Sequence, residues 1–180
     1  MFATVILAVA LISLAELFAL STRANYSSKA NTFAAMLARQ KMEQLRGLTW
    51  GFDTLGLPLS DYTTDLSDIP QVGGCPVPEG GGSGVGLSPS PQATLLTNIP
   101  GYVDYLNQYG CVLGGGATIP DGTVYIRRWT VEPLPTNPNN TLVFQVLVTR
   151  RNERGAAGEG NIARLPEEAR LMSVKTRKTT

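Results

Sequence analysis

The sequence of 180 residues contains no histidine. Histidine is the commonest general base and a frequent metal ligand, so its absence excludes Ser-His-Asp and Cys-His catalysis and the usual zinc sites. Carboxylates are the remaining candidates for catalysis, and Asp61, Asp65 and Asp68 form the clearest group. Their short spacing is more typical of a solvated loop or a capped turn. We therefore predict that the protein is not an enzyme and that it binds no metal or cofactor.

An excess of charge of either sign is also lacking, because 15 basic residues face 14 acidic ones and the formal net charge is +1. This balance provides no long-range field that would attract nucleic acid or an acidic membrane surface. The length suits one globular domain with an appended segment. Partners must therefore be predicted from local features.

Glycine and proline are nearly missing from the first fifty residues, which hold only Gly47, although the chain contains 19 Gly and 12 Pro. Without such breakers we predict one continuous helix from Met1 to about Arg46, ended by Gly47. Residues 1–20 carry a single charge, at Glu16. Twenty helical residues rise about 30 Å, which is enough to cross the hydrocarbon core of a membrane.

Four regions follow from these shifts in composition. We assign residues 1–22 to a transmembrane or filament-core half of the helix and residues 23–50 to an amphipathic half. Residues 51–122 are predicted to be a loop-rich variable region with a disulfide, and residues 123–180 an antiparallel sheet. The side chains expected to contact lipid or other helices are Val5, Ile6, Val9, Leu11, Ile12, Leu14, Glu16, Leu17 and Phe18.

The apolar start of the chain has three interpretations. A cleaved signal peptide, with Ala24 before the cut, fits poorly because no positive charge precedes the apolar run and Glu16 interrupts it. A simple anchor meets another problem, since the nearest basic residues follow the span and would place the body in the cytoplasm. We expect a basic segment upstream of Met1, which would reverse this orientation. Glu16 itself would pair with Arg23, pair with a neighbouring subunit, or be solvated at the end of the span.

The amphipathic half of the helix is predicted to cover a sheet. Two runs rich in β-branched and aromatic residues, "TVYIRRWTV" and "TLVFQVLVT", flank the turn residues "EPLPTNPNN" and predict an antiparallel hairpin. A third, charged edge strand is predicted in "RLMSVKTRKT". The fold class is therefore α+β, with the helix packed on a small antiparallel sheet. The residues expected at the contact are Ala34, Leu37, Ala38, Met42 and Leu45 from the helix and Leu142, Phe144, Val146 and Val148 from the sheet.

Both cysteines, Cys75 and Cys111, lie in surroundings rich in glycine and proline, without CxxC spacing. We interpret them as a structural disulfide rather than two free thiols, which implies an oxidising compartment. The tract "EGGGSGVG" lacks the ending of a phosphate-binding loop and is interpreted as a surface loop. Tyr102, Tyr105 and Tyr109 have helical spacing, which predicts a short helical turn.

The two ends of the chain resemble type IV pilin-like proteins, the subunits of type IV pili and of the type II secretion pseudopilus. The resemblance rests on "MFATVILAVALISLAELFAL", "AAMLARQKMEQLRGL" and "VYIRRWTVEP", together with "LVFQVLVTRRNERG" and "ARLMSVKTRK". It is strongest to V-type minor pilins and I-type minor pseudopilins, and it does not extend to residues 50–122. The family's basic leader, its cleavage point after Gly, its methylated Phe and its N-terminal Glu are not in this sequence. We therefore expect Met1 to correspond to a position inside the mature helix.

This resemblance implies the pilin fold and a structural role in a filament. The subunit would wait in the bacterial inner membrane, be processed by a prepilin peptidase and be extracted by an assembly platform. It would then pack its apolar helix against copies of itself or other pilins in an extracellular pilus, with its body on the surface, where adhesion or motility would arise.

Other functions remain open from the sequence. The first is a minor pseudopilin of type II secretion, and the second is a signal-anchored periplasmic binding protein. A third is a filament-tip protein that binds DNA, although strand alternation sends Arg127 and Arg128 to opposite faces. The residues that would contact nucleic acid are Arg127, Arg128, Trp129, Lys175, Arg177 and Lys178.

Overall fold

One long helix and seven strands make up the part of the chain that the computed structural model describes, which is residues 2–66, 75, 85–151 and 168–178. The helix, α1, spans Phe2–Gly47 without interruption over 46 residues, in agreement with the prediction. Asp68 and most of the glycine-rich tract lie outside the described residues. The strands are β1 Trp50–Phe52, β2 Pro58–Ser60, β3 Val103–Leu106, β4 Val112–Gly114, β5 Tyr125–Pro133, β6 Thr141–Arg150 and β7 Ala169–Thr176.

Five of the strands form an antiparallel sheet in the order β4-β3-β5-β6-β7, while β1 and β2 form a separate hairpin. The hairpin of β5 and β6 pairs Val131 with Phe144, and β7 lies at the edge beside β6. The second half of α1 packs on this sheet, over β5, β6 and β7. The fold class is thus α+β, with one long N-terminal helix on an antiparallel sheet, as the sequence predicts.

The sheet begins earlier in the chain than the sequence indicates. β3 and β4 fall inside the region 51–122 that was predicted to be loop-rich, yet both belong to the main sheet. The helical turn predicted from Tyr102, Tyr105 and Tyr109 is wrong, because Val103 to Leu106 form a strand whose four residues are all buried. Pairing with β5 satisfies the backbone of this buried segment, and that tertiary requirement outweighs the spacing of the tyrosines.

A single cluster of buried side chains joins the helix to the sheet. Apolar residues recur along one face of α1 and on alternate positions of β6, so both patterns point toward the same layer. Each of the nine predicted contact residues lies in this cluster and is at most 5% exposed. They are Ala34, Leu37, Ala38, Met42, Leu45, Leu142, Phe144, Val146 and Val148.

The end of α1 is stabilised by a side chain from the edge strand. Gly47 is the last helical residue and does not adopt the positive φ of a glycine cap. Instead, Lys175 Nζ donates hydrogen bonds to the main-chain carbonyls of Arg46, at 2.7 Å, and of Leu48. A cation at the C-terminus of a helix satisfies the free carbonyls and complements the helix dipole.

Candidate functional site

The first half of α1 projects from the body and is exposed on every side. Residues 2–26 are all exposed, and none of the most apolar stretch of eighteen residues is buried. By length and composition this helix is able to cross a membrane. The predicted assembly residues all lie on it and are exposed, namely Val5, Ile6, Val9, Leu11, Ile12, Leu14, Glu16, Leu17 and Phe18.

Glu16 interrupts this apolar surface as its sole carboxylate. No described basic residue lies within ion-pair distance of Glu16, so of the three alternatives left open by the sequence, pairing with Arg23 does not occur within one copy. Arg23 lies seven residues further along, about 10 Å up the helix axis, which is too far for direct contact in an extended helix. Glu16 is therefore exposed, and no side chain in the described part of the chain forms an ion pair with it.

The second half of α1 is held to the sheet by a buried cluster of charges. Asp104 of β3 accepts three hydrogen bonds through Oδ2, from Lys41 Nζ at 2.8 Å and from Arg127 Nη2 and Nε at 2.7 and 3.0 Å. All three side chains are fully buried. Arg127 Nη1 also donates to the Leu37 carbonyl and to Gln40 Oε1, at 3.0 and 3.1 Å. The cluster thus links β5 directly to the backbone of the helix and β3 to the Lys41 side chain.

Lys41 is a desolvated cation in this cluster. Its Nζ lies 4.3 Å from the centre of the Trp129 ring and donates to the Leu66 carbonyl at 2.5 Å. Burial lowers the Lys41 pKa from 10.5 to about 8, while the Asp104 carboxylate opposes this shift and Arg127 adds to it. The cluster contains two cations and one anion, so desolvation outweighs the attraction of Asp104.

The charge cluster was not predicted, although the sequence contains a signal for it. Lys41 falls within the apolar stripe of α1, and Asp104 and Arg127 interrupt the strand-like runs "YVDYL" and "YIRRW". A charged residue at a position that the pattern assigns to the core needs a buried partner. Three such residues in one small domain therefore indicate a shared ionic contact, although the pattern alone does not say which pairs form.

The basic residues predicted for nucleic-acid contact do not form an exposed patch. Arg127, Arg128 and Trp129 are buried, and Arg128 Nε donates to Asn98 Oδ1 at 3.0 Å. Lys175 is held at the end of α1. Arg177 stacks on the Trp50 ring at 3.6 Å and donates to main-chain carbonyls, among them Gly51 O at 2.9 Å. The positive charges of Arg127, Arg128, Lys175 and Arg177 therefore serve internal contacts, whereas Lys178 is exposed.

A disulfide joins Cys75 to Cys111 at the start of β4, with Cα atoms 5.4 Å apart. The pairing agrees with the predicted disulfide and closes a loop of 36 residues in sequence separation. Within the described ranges, no cluster of three or more cysteine, aspartate or glutamate side chains could hold a metal ion.

The fold and these features define an α+β protein in which one helix serves two purposes. Its C-terminal half is fixed on a five-stranded antiparallel sheet, and its N-terminal half is a bare apolar rod able to cross a membrane. Comparison with protein-family models, with curated proteins and with solved structures gives no match. The residues and their geometry are therefore the basis for assigning a function.

Proposed function

We propose that the protein is a structural subunit of a type IV pilus-like filament with the pilin fold. The observation that carries this proposal is the division of α1 into an exposed apolar half and a firmly packed half. A continuous apolar surface of this size is unstable in water and must be covered by lipid or protein. A single apolar helix anchored to a folded body can be covered in both ways. Lipid surrounds it before assembly, and other helices surround it in the filament.

The free energy of the apolar helix is nearly the same in lipid and in the filament core. Lipid chains and apolar helices solvate leucine and valine side chains about equally well, so helix association depends on packing and on polar contacts. Glu16 is the exception, because a carboxylate at the centre of a bilayer costs about 3 kcal/mol on insertion scales. Its position near the end of the apolar run keeps it close to the membrane surface, where this cost is smaller.

The buried charge cluster suits a subunit that is pulled by its helix. Arg127 and Asp104 connect two strands to α1 by hydrogen bonds, in addition to the apolar contacts of the core. Extraction from a membrane would place load on this connection. We propose that a prepilin peptidase and an inner-membrane assembly platform act on the subunit, and that the Cys75–Cys111 disulfide forms outside the cytoplasm.

Mass spectrometry of filaments sheared from the surface of cells that produce the protein tests this function. We expect peptides from residues 85–151 in the sheared fraction. A variant carrying Leu11→Arg and Leu14→Arg should be missing from it, because both changes lie on the exposed helix and leave the body intact. The matched control carries Leu11→Ile and Leu14→Ile. Absence of the unmodified protein from filaments, together with its presence in the soluble periplasm, would contradict the proposal.

A further inference from the structure

A groove opens beside α1 where the helix leaves the body. It has a volume of about 840 Å³ and lies between the helix, the β3–β4 turn and the ends of β5 and β6. Its wall is mostly apolar and aromatic. Among the described residues that line it, two are cations and none is a carboxylate. The lining residues that matter here are Tyr26, Lys29, Phe33, Met36, Tyr125 and Arg150.

The two cations of the groove differ in their contacts. Arg150 donates a hydrogen bond to the Tyr26 hydroxyl, and its guanidinium lies 4.9 Å from the Tyr26 ring. Lys29 is exposed and has no hydrogen-bond or ion-pair partner among the described residues. The groove therefore combines an apolar floor with one available positive charge, which is the complement of an apolar segment that carries one negative charge.

The exposed half of α1 is such a segment. Glu16 is its sole carboxylate, Leu20 shares a helix face with it at a spacing of four residues, and Leu17 is the next residue along the chain. Within one copy, Glu16 and Lys29 are separated by thirteen residues, or about 20 Å along the axis, so they cannot meet. Two parallel helices shifted by the same length bring Glu16 of one copy beside Lys29 of the other. Leu17 and Leu20 then lie level with Ala30 and Phe33.

We propose that the exposed helix of a second copy occupies this groove, parallel to the first helix and shifted by about 20 Å, with Glu16 paired to Lys29. The inference rests on the proposed function, because it names the contact through which copies assemble. Of the other cations on α1, neither Arg23 nor Arg39 lines the groove. The contact is head-to-tail, so each copy offers one helix and one groove, and repetition extends an open filament.

Disulfide trapping between two differently tagged full-length copies tests the register. One copy carries Glu16→Cys and the other Lys29→Cys, and assembled material is oxidised with copper phenanthroline. Pairs of Glu16→Cys with Arg23→Cys or with Arg39→Cys are matched controls that probe other shifts of the same helix. Each single variant alone controls for exchange with the native disulfide. We expect a band carrying both tags, several-fold stronger for the Lys29 pair than for either control.

Charge reversal provides a second measurement on the same contact. Glu16→Lys and Lys29→Glu should each lower the yield of sheared filaments, and the double reversal should restore it. Filaments that form without a band from the Lys29 pair, or with equal bands from all three pairs, would overturn the groove contact and leave the filament function standing. A lipid in the groove would give the first of these results. If unmodified copies do not associate at all, both proposals fail.

Discussion

Arg127 of β5 donates a hydrogen bond from Nη1 to the main-chain carbonyl of Leu37 in α1, with 3.0 Å between the two atoms. The two residues are separated by ninety positions in sequence, so this bond forms only when helix and sheet are packed together. The same guanidinium holds Asp104 at 2.7 Å. One side chain of β5 thus connects the backbone of the helix to the buried carboxylate of β3.

Removing the anion of this cluster should be far more damaging than removing Lys41. Asp104→Ala leaves two buried cations without a counter-charge, and we expect the free energy of unfolding to fall by about 3–5 kcal/mol. Lys41→Met keeps the Asp104–Arg127 pair and replaces a desolvated cation by an apolar chain of similar length. It loses the hydrogen bond to the Leu66 carbonyl and should cost about 1–2 kcal/mol.

Denaturation of the full-length protein in detergent measures both changes. The fluorescence of Trp50 and Trp129 reports on unfolding, since both side chains are buried in the core. An equal decrease in the free energy of unfolding for Lys41→Met and Asp104→Ala would contradict the central role of the Asp104 carboxylate in the cluster.

Stability should rise between pH 8 and pH 10.5 through Lys41. Below pH 8, Lys41 is protonated in the folded and in the unfolded protein. Above pH 8 the folded protein loses this proton, whereas the unfolded chain, in which the lysine has a pKa of 10.5, retains it. The free energy of unfolding therefore increases with pH over this window, by roughly 3 kcal/mol at most. Lys41→Met lacks this increase.

Comparison with the Lys41→Met variant separates the pH dependence of stability caused by Lys41 from that caused by two buried tyrosines. Burial raises the pKa of Tyr102 and of Tyr105, so near and above pH 10 both destabilise the fold in both proteins. The difference between the two unfolding free energies should still grow from pH 8 to pH 10.5. Parallel curves over this window would contradict the assignment of a lowered pKa to Lys41.

Gly86 should not tolerate a side chain. It has a φ of +45°, and a Cβ atom at this position would lie 2.5 Å from the Asp61 carbonyl oxygen, which accepts the Leu87 N–H at 2.7 Å. We expect Gly86→Ala to cost about 1–3 kcal/mol. Gly47→Ala is the matched control, because nothing lies within 4 Å of a Cβ there and helix propensity favours alanine. Equal unfolding free energies for the two variants would refute the steric argument.

The exposed half of α1 should govern membrane retention without affecting the stability of the body. Leu11→Arg should weaken insertion by about 3 kcal/mol, while Leu11→Ile should have little effect. Alkaline extraction of membranes measures retention, and tryptophan fluorescence measures unfolding of the body. A loss of body stability in Leu11→Arg would mean that this half of the helix packs on the sheet, contrary to its full exposure.

The disulfide should stabilise the body through its long loop. Replacing Cys75 and Cys111 by serine removes a crosslink with a sequence separation of 36, which is worth roughly 4 kcal/mol in the chain-entropy model. Reducing agent should lower the unfolding midpoint of the unmodified protein and leave the double variant unchanged. A midpoint that does not respond to reduction would show that the loop gains its order from other contacts.

Local patterns were enough to predict the elements with regular spacing. The absence of breakers before Gly47 predicted one helix, and the runs at 123–131 and 141–149 predicted the central hairpin, whose strands span Tyr125–Pro133 and Thr141–Arg150. The stripe through Leu37 and Met42 also identified the face that meets the sheet. These features depend on neighbours a few residues apart, which a sequence displays directly.

Contacts between distant residues were beyond such patterns. The spacing of Tyr102 and Tyr105 predicted a helical turn, but the free edge of β5 made Val103–Leu106 a strand. Gly47 was expected to end α1 and is its last residue, but the carbonyls there are bound by Lys175 from the far end of the chain. In each case a backbone group found a hydrogen-bond partner in a distant segment, and that partner depended on which segments the fold brought together.

The sequence by itself thus determined that a long helix has one bare apolar half and one half that packs on an antiparallel sheet. Only the tertiary structure decided that Lys41, Asp104 and Arg127 meet in the core, and that Lys29 lines an apolar groove without a partner among the described residues. The physical reason is that periodicity is a local property of the chain, whereas pairing of charges depends on which distant segments fold against each other.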